Sequence, residues 1–313
     1  VYSLGNWEAP FGIVLVLDQF SILMVLVASL LAFGALWYAI SEGIDKKGAH
    51  FHPLFQLQLF GLNGAFLTGD LFNLFVFFEI LLLSSYSLLL HAKGEGRVKA
   101  GLHYVVSNLV GSTLFLFAVG TLYGILGTLN IADLSQKVAQ LTPENVSVVA
   151  SAGLLLLIVF GLKAAMFPLY FWLPNAYGKT SAPVAALFAI MTKVGIYSII
   201  RVHGTIFGQN ANELAFYYTP WVLYIGLITL VLATFGVLSS KELKTQISYL
   251  VLLSVSIILI AIGINSKEAL SGAIFYMIHS TFVAGGFFLL ADVILKARNS
   301  TSLRPKMPIF KNA

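Results

Sequence analysis

No cysteine occurs among the 313 residues, and only 10 % of them are charged. The first absence excludes a disulfide framework, a thiol nucleophile and an ordinary iron–sulfur cluster. The second, set beside 58 % hydrophobic residues, 25 Phe and a mean hydropathy of +0.91, excludes an ordinary soluble domain. Chemical signatures are missing too. There is no glycine-rich phosphate loop, no dinucleotide fingerprint, no Gly-x-Ser-x-Gly elbow, and no His or carboxylate cluster at metal-ligand spacing. The chain is therefore expected to hold no cofactor and no metal, and redox chemistry would have to reside in a partner. A net charge of +5 would point a soluble protein toward nucleic acid. Here membrane topology accounts for most of it, and no nucleic-acid partner is expected.

What the sequence has instead is long apolar runs. About 20 residues cross a ~30 Å hydrocarbon core, and the runs predict an all-α, polytopic membrane helix bundle of about nine spans. They cover roughly Phe11–Ile40, Phe51–Thr68, Leu71–Leu90, Ala100–Leu126, Val146–Phe167, Ser181–Val202, Thr219–Leu238, Gln246–Ile264 and Leu270–Leu290. If the runs alternate across the bilayer, 13 Lys and Arg residues fall on one side, including Lys46, Lys47, Arg97, Lys179, Lys244 and Lys296. The other side collects only Lys137, Arg201 and Lys267. The positive-inside rule then places the amino end outside and the carboxyl end in the cytoplasm of a cell membrane. Residue 1 is Val, and no signal-peptide pattern follows it, so the start reads as the interior of a longer protein or as a processed end.

Two stretches depart from plain spans. Between Asn130 and Val146, Ile131, Leu134, Val138 and Leu141 recur at helical spacing, which suits a short amphipathic surface helix. From Val146 to Tyr177 the chain is one apolar run, about 48 Å long as a single helix at ~1.5 Å per residue, too long for one membrane crossing. It must be interrupted. Pro168 removes a backbone donor, Gly161 weakens the same region, and Pro174 is expected to end the short piece that follows. The break falls within about one turn of Lys163. Broken helices at membrane depth occur where freed backbone groups line a cavity or a site.

Four ionisable residues sit near the middle of apolar runs: Glu79, Lys163, Lys193 and His279. A charge at that depth costs at least ~2.5–3.5 kcal/mol, so such residues face a bundle interior and mark an ion or proton route. Glu79, among aromatic and aliphatic neighbours, needs a cation, and Lys163 is its natural partner by depth. Lys193 lies near Ala185, Ala186, Ala189 and Gly195, small residues that permit close helix packing. An imidazole such as His279 can relay a proton through its two nitrogens. His103, with Asn108 and Ser112, is a weaker candidate for admitting protons. Asp18 and Asp70 fall at helix ends, where capping explains them.

These residues lie in strings that carry a resemblance. GLNGAFLTGDLFNLFVFFEILLLSSYSLLL, FGLKAAMFPLYFWLPNAYGKTSAPVAALFAIMTKVGIYSIIRV and FYMIHSTFVAGGFFLLADVI look like the D subunit of Mrp-type Na+/H+ antiporters. More broadly they resemble the antiporter-like membrane subunits of respiratory complex I and of membrane-bound hydrogenases. The resemblance implies fourteen helices in two inverted five-helix repeats, each with one broken helix. This chain would hold the third to the eleventh. Residues 1–50 would form a leading helix and cytoplasmic loop, 51–205 the complete first repeat, 216–295 part of the second, and 296–313 a basic cytoplasmic tail, all within a single membrane domain. By motif, Glu79 pairs with Lys163, Lys193 continues a hydrated polar axis and His279 extends it. The family's last ionisable residue, on a twelfth helix, would follow Ala313. The implied function is a subunit of a multisubunit Na+/proton antiporter, not an enzyme, with protons, Na+, lipid and other subunits as its partners. The alternative is a proton-pumping subunit of a complex I-type oxidoreductase or a hydrogenase.

Overall fold

Backbone polar groups left unpaired in hydrocarbon are costly, so long apolar runs close their hydrogen bonds within themselves as helices. The computed structural model describes residues 1–91 and 95–298 and obeys that rule. In chain order the helices are α1 (Gln19–Ser41), α2 (Phe51–Leu67), α3 (Leu71–Leu90), α4 (Glu95–Leu126), α5 (Ile131–Val138), α6 (Pro143–Ala164), α7 (Trp172–Lys179), α8 (Ala182–Phe188), α9 (Met191–Ser198), α10 (Gly204–Ile206), α11 (Thr219–Ser239), α12 (Leu243–Ile264) and α13 (Lys267–Arg298). Among the described residues, eight helical stretches are long and apolar enough to cross a membrane, and α8 to α10 form one of them through a π-helical turn at Ile199–His203. Helix α2, with 17 residues, is roughly 25 Å long at ~1.5 Å per residue and packs on α3 as a further apolar helix. Together these account for the nine expected runs. Of the expected basic tail, residues 299–313 lie outside the described residues.

The first span starts later than expected. Asp18 Oδ1 accepts from the backbone N–H groups of Phe20 and Ser21 at 3.1 and 2.9 Å, and Ser21 Oγ accepts from the Asp18 N–H at 2.8 Å. This reciprocal capping box fixes the start of α1 at Gln19. The apolar residues before it take extended conformations: β1 (Tyr2–Ser3) pairs antiparallel with β2 (Val14–Leu15). The same segment clamps the α2–α3 turn, since Gly69 N–H donates to the Val14 carbonyl at 2.9 Å. Asp70 caps α3 by accepting from Asn73 N–H at 2.8 Å. Helix α5 buries Ile131, Leu134 and Val138 on one face, as its pattern predicts.

One helix runs through the centre. In the stretch 182–206, 94 % of the apolar window is buried, against 28–56 % for the other seven stretches. Small residues allow this. A Cβ on Gly195 would lie 2.4 Å from the Ala164 nitrogen and 2.6 Å from the Phe160 carbonyl oxygen, so α9 meets α6 backbone to backbone.

Candidate functional site

Helix α6 ends one residue after Lys163. Ala165 takes the left-handed conformation (φ 61°), with its N–H on the Leu162 carbonyl at 3.1 Å and the Met166 N–H on the Gly161 carbonyl at 2.9 Å. This is a Schellman termination with alanine where glycine is usual. Gly161 is part of it for a reason other than weak helix propensity. A Cβ there would lie 2.1 Å from Met166 Cε, so the bare glycine makes room for the chain to fold back. Pro168 lies in the connecting turn between α6 and α7. Pro174 does not end the second piece, contrary to expectation. It occupies the first turn of α7, where a backbone N–H has no intrahelical partner to lose, and α7 continues to Lys179. Side chains add to the bonding at the break: Trp172 Nε1 donates to the same Leu162 carbonyl at 3.1 Å, and Phe167 N–H donates to Thr229 Oγ1 at 3.0 Å.

The Lys163 side chain points into the bundle. The residue is 8 % exposed, its ammonium has no hydrogen-bond partner, and it stands 5.3 Å from the centre of the Phe78 ring. Glu79, the next residue on α3, is close enough to act on it through its charge, yet no ion pair joins them. Glu79 is half-buried and instead accepts a hydrogen bond from Ser112 Oγ of α4. The expected pair is thus parted. Asn108, one turn before Ser112, is buried, and His103 lies on the exposed side of α4.

Lys193 is fully buried on the central helix. Its Nζ donates to Ser254 Oγ of α12 at 3.0 Å. A second interruption precedes it at Ala189–Ile190, between α8 and α9, and the Phe188 carbonyl is taken by Tyr177 Oη at 2.6 Å. Neither glycine nor proline marks this second break. Each lysine therefore sits within a turn or so of irregular backbone, and the close contact at Gly195 makes their helices neighbours. Contrary to the expectation that it faces the bundle interior, His279 is exposed on α13, its ring stacked against Tyr276 at 6.2 Å. It lines a groove between α12 and α13 that also includes Ser254, so the Lys193 partner and His279 border the same space.

Two further polar groups escaped the sequence pattern. Arg201 makes a two-pronged ion pair with Asp18, at 2.6 and 2.7 Å, and stands over the Tyr197 ring at 5.3 Å. The hydrogen bonds from Arg201 hold the Asp18 carboxyl well below the usual carboxylate range, while burial pushes the Asp70 carboxyl up. His203 is fully buried with one nitrogen 2.9 Å from the Gly153 carbonyl, which ties the central helix to α6. A lone imidazole at the end of an apolar run was the only sequence signal for it.

Comparison with known proteins identifies the family and the fold. The family described as "NADH:quinone oxidoreductase/Mrp antiporter, TM" matches residues 68–312. The D subunit of a probable K(+)/H(+) antiporter from Rhizobium meliloti is 49 % identical over 300 residues, covering 96 % of this chain and 56 % of that protein. The D subunit of the Na(+)/H(+) antiporter from Alkalihalophilus pseudofirmus is 40 % identical over 313 residues, covering 99 % of this chain and 62 % of that protein. A chain in the structure of the Mrp complex from Dietzia sp. DQ12-45-1b superposes with a TM-score of 0.85 at 32 % identity, covering 96 % of this chain and 55 % of that one. The present chain thus spans 55–62 % of these proteins. It belongs to the NADH:quinone oxidoreductase/Mrp antiporter transmembrane family, and within that family it is similar to the D subunits of Mrp antiporters.

Proposed function

We propose that this chain is the proton-carrying part of a D subunit in a multisubunit monovalent cation/proton antiporter of the cell membrane. Protons move along Glu79, Lys163, Lys193 and His279 in exchange for Na+, with the amino end outside and the end bearing Lys46, Lys47 and Lys179 in the cytoplasm. Lys163 carries this reading: a buried ammonium with no hydrogen-bond or ion-pair partner, beside a helix break, is poorly explained by stability, because a buried charge without one is costly. The site is better suited to gaining and losing a proton than to locking helices together.

In this reading the Glu79–Lys163 pair alternates between contact and separation. Contact favours the protonated lysine. Separation, the arrangement seen here, removes the compensating carboxylate and releases the proton from Lys163 Nζ toward Lys193, where Ser254 Oγ receives the ammonium. From there the shared groove leads to His279. Inverted vesicles containing the whole assembly test the scheme. Lys163→Ala should abolish the cation-driven pH gradient at normal assembly, whether Na+ or K+ is supplied, and an intact gradient would overturn it. A second reading, a proton-pumping subunit of an NADH:quinone oxidoreductase-type complex, is favoured by the breadth of the family match. Co-purification with iron–sulfur or quinone-binding proteins, rather than small membrane subunits, would select it.

A further inference from the structure

Where α2, α3 and α4 meet, the structure gathers buried polar atoms that this lysine axis does not use. His91 follows the last residue of α3. It is 6 % exposed, neither ring nitrogen has a hydrogen-bond partner, and its ring lies 5.0 Å from Phe51 at the start of α2. Two turns further into the bundle, Ser84 donates to Gln58 Oε1 at 2.7 Å, and Gln58 is fully buried with its Nε2 unpartnered. Seven residues bring a helix back to within ~20° of the same face, so His91 and Ser84 are aligned on α3, and Phe51 and Gln58 on α2. Between these two layers lie Leu88 and Phe55, both fully buried, as one apolar layer. Beside Ser84 at the same depth, on the neighbouring face of α3, the Ser85 and Tyr104 hydroxyls share a 2.6 Å hydrogen bond. Tyr104, Asn108 and Ser112 then follow at four-residue spacing down α4 to the Glu79 carboxylate, and the buried Asn108 has an unpartnered Oδ1.

The charged surroundings of His91 come from three helices. From α4, Arg97 Nη1 donates to the His91 carbonyl, and Arg97 Nε donates to the Lys179 carbonyl at 3.1 Å. From α7, Lys179 turns its ammonium to Glu242 at 3.0 Å. On α2, His52 lies beyond the Phe51 ring and pairs with Asp45 at 3.2 Å. None of these charges bonds to the His91 ring, which leaves both nitrogens open to exchange a proton.

We propose that His91 is the proton-loading residue of this chain. Imidazole takes up and releases protons near neutral pH. Its proton passes the Leu88–Phe55 layer, which gates the route by excluding water when closed. It continues through water held by the Gln58 and Asn108 amides and through the Ser84, Ser85, Tyr104 and Ser112 hydroxyls, which both donate and accept. Glu79 receives it. The route rests on the function proposed above, in which Glu79 hands protons to Lys163.

The test uses the complete antiporter assembly in inverted vesicles, with Lys163→Ala run in parallel. His91→Ala should lower the initial rate of the cation-driven pH gradient at least tenfold without changing the cation concentration for half-maximal rate, and added imidazole should restore the rate. Tyr104→Phe, which keeps the ring and removes only the hydroxyl, should slow it as well. If His91→Ala does not assemble, His91→Gln replaces it with the same expected slowing. A wild-type rate in either assembled His91 variant or in Tyr104→Phe, or a His91→Ala defect that imidazole leaves unchanged, overturns the route. An active Lys163→Ala instead overturns the proton-carrying reading itself, so the two failures are distinguishable.

Discussion

Replacing Gly195 by alanine tests whether the two lysine-bearing helices depend on backbone contact. The new Cβ would stand 2.4 Å from the Ala164 nitrogen, 2.6 Å from the Phe160 oxygen and 2.9 Å from the Lys163 carbonyl carbon. Ordinary carbon contacts lie at ~3.5–4.0 Å, so the helices must part by about 1 Å. None of the three atoms belongs to a side chain that can turn aside. Overpacking of this kind costs about 1–3 kcal/mol, and rigid backbone on both sides places Gly195→Ala in the upper half of that range. A loss of ~2–3 kcal/mol lowers the folded-to-unfolded ratio roughly 30- to 150-fold. Because the shift also moves Lys193 away from the α6 break, transport should fall further than the amount of assembled subunit. Unfolding in detergent, paired with cation-driven pH gradients normalised to assembled complex, measures both quantities. A variant as stable and as active as the parent would refute the claim that this contact sets the spacing of the lysines.

Two further predictions follow from the ends of helices. Ala165→Gly removes the left-handed strain at φ 61° but also the methyl group of a fully buried residue, so the gain, the lost burial and the extra chain entropy of glycine should nearly cancel and stability in the same unfolding assay should change by less than about 1 kcal/mol. The Asp18 carboxyl is held below its ordinary value in the folded state by Arg201. Its contribution is therefore present above the unfolded value of ~3.9 and is lost as pH falls through that value toward the folded one. The Asp18 side chain is 40 % exposed and solvent-screened, so the pair contributes about 1 kcal/mol or less. The thermal midpoint of the parent should thus fall more steeply than that of Asp18→Asn between about pH 5 and pH 3. Taking the difference between the two proteins cancels Asp70, whose burial acts with the opposite sign.

The helices were legible wherever an apolar run had local punctuation. Leu71–Leu90 is bounded as its composition suggests, with Asp70 capping it. The start of α1 was misplaced because Phe11 to Leu17 is as apolar as a span, although the Asp18–Ser21 capping box is a local signal that would have corrected it. Pro168 announced the first break. Its geometry was hidden, because the left-handed turn falls on an alanine and depends on Met166 folding over Gly161. Pro174 misled because proline stops a helix only beyond its first turn. The second break carries no glycine or proline and is stabilised by Tyr177, eleven residues before Phe188, so nothing local marks it. Lys193 could be singled out as a mid-run charge. Its partner Ser254, 61 residues away, and the Asp18–Arg201 pair, 183 residues apart, are tertiary facts that no local pattern encodes.

Transport by the whole assembly with Lys193→Met tests most directly whether the buried lysines carry protons. Methionine fills much of the same space and removes the titrating amine, leaving Ser254 as a small hydroxyl that still bonds to the Val251 carbonyl. The cation-driven pH gradient per assembled complex should disappear, with the complex itself recovered at near-parent yield. An undiminished gradient per complex would contradict the account, leaving the lysine as a helix clamp and the proton route elsewhere.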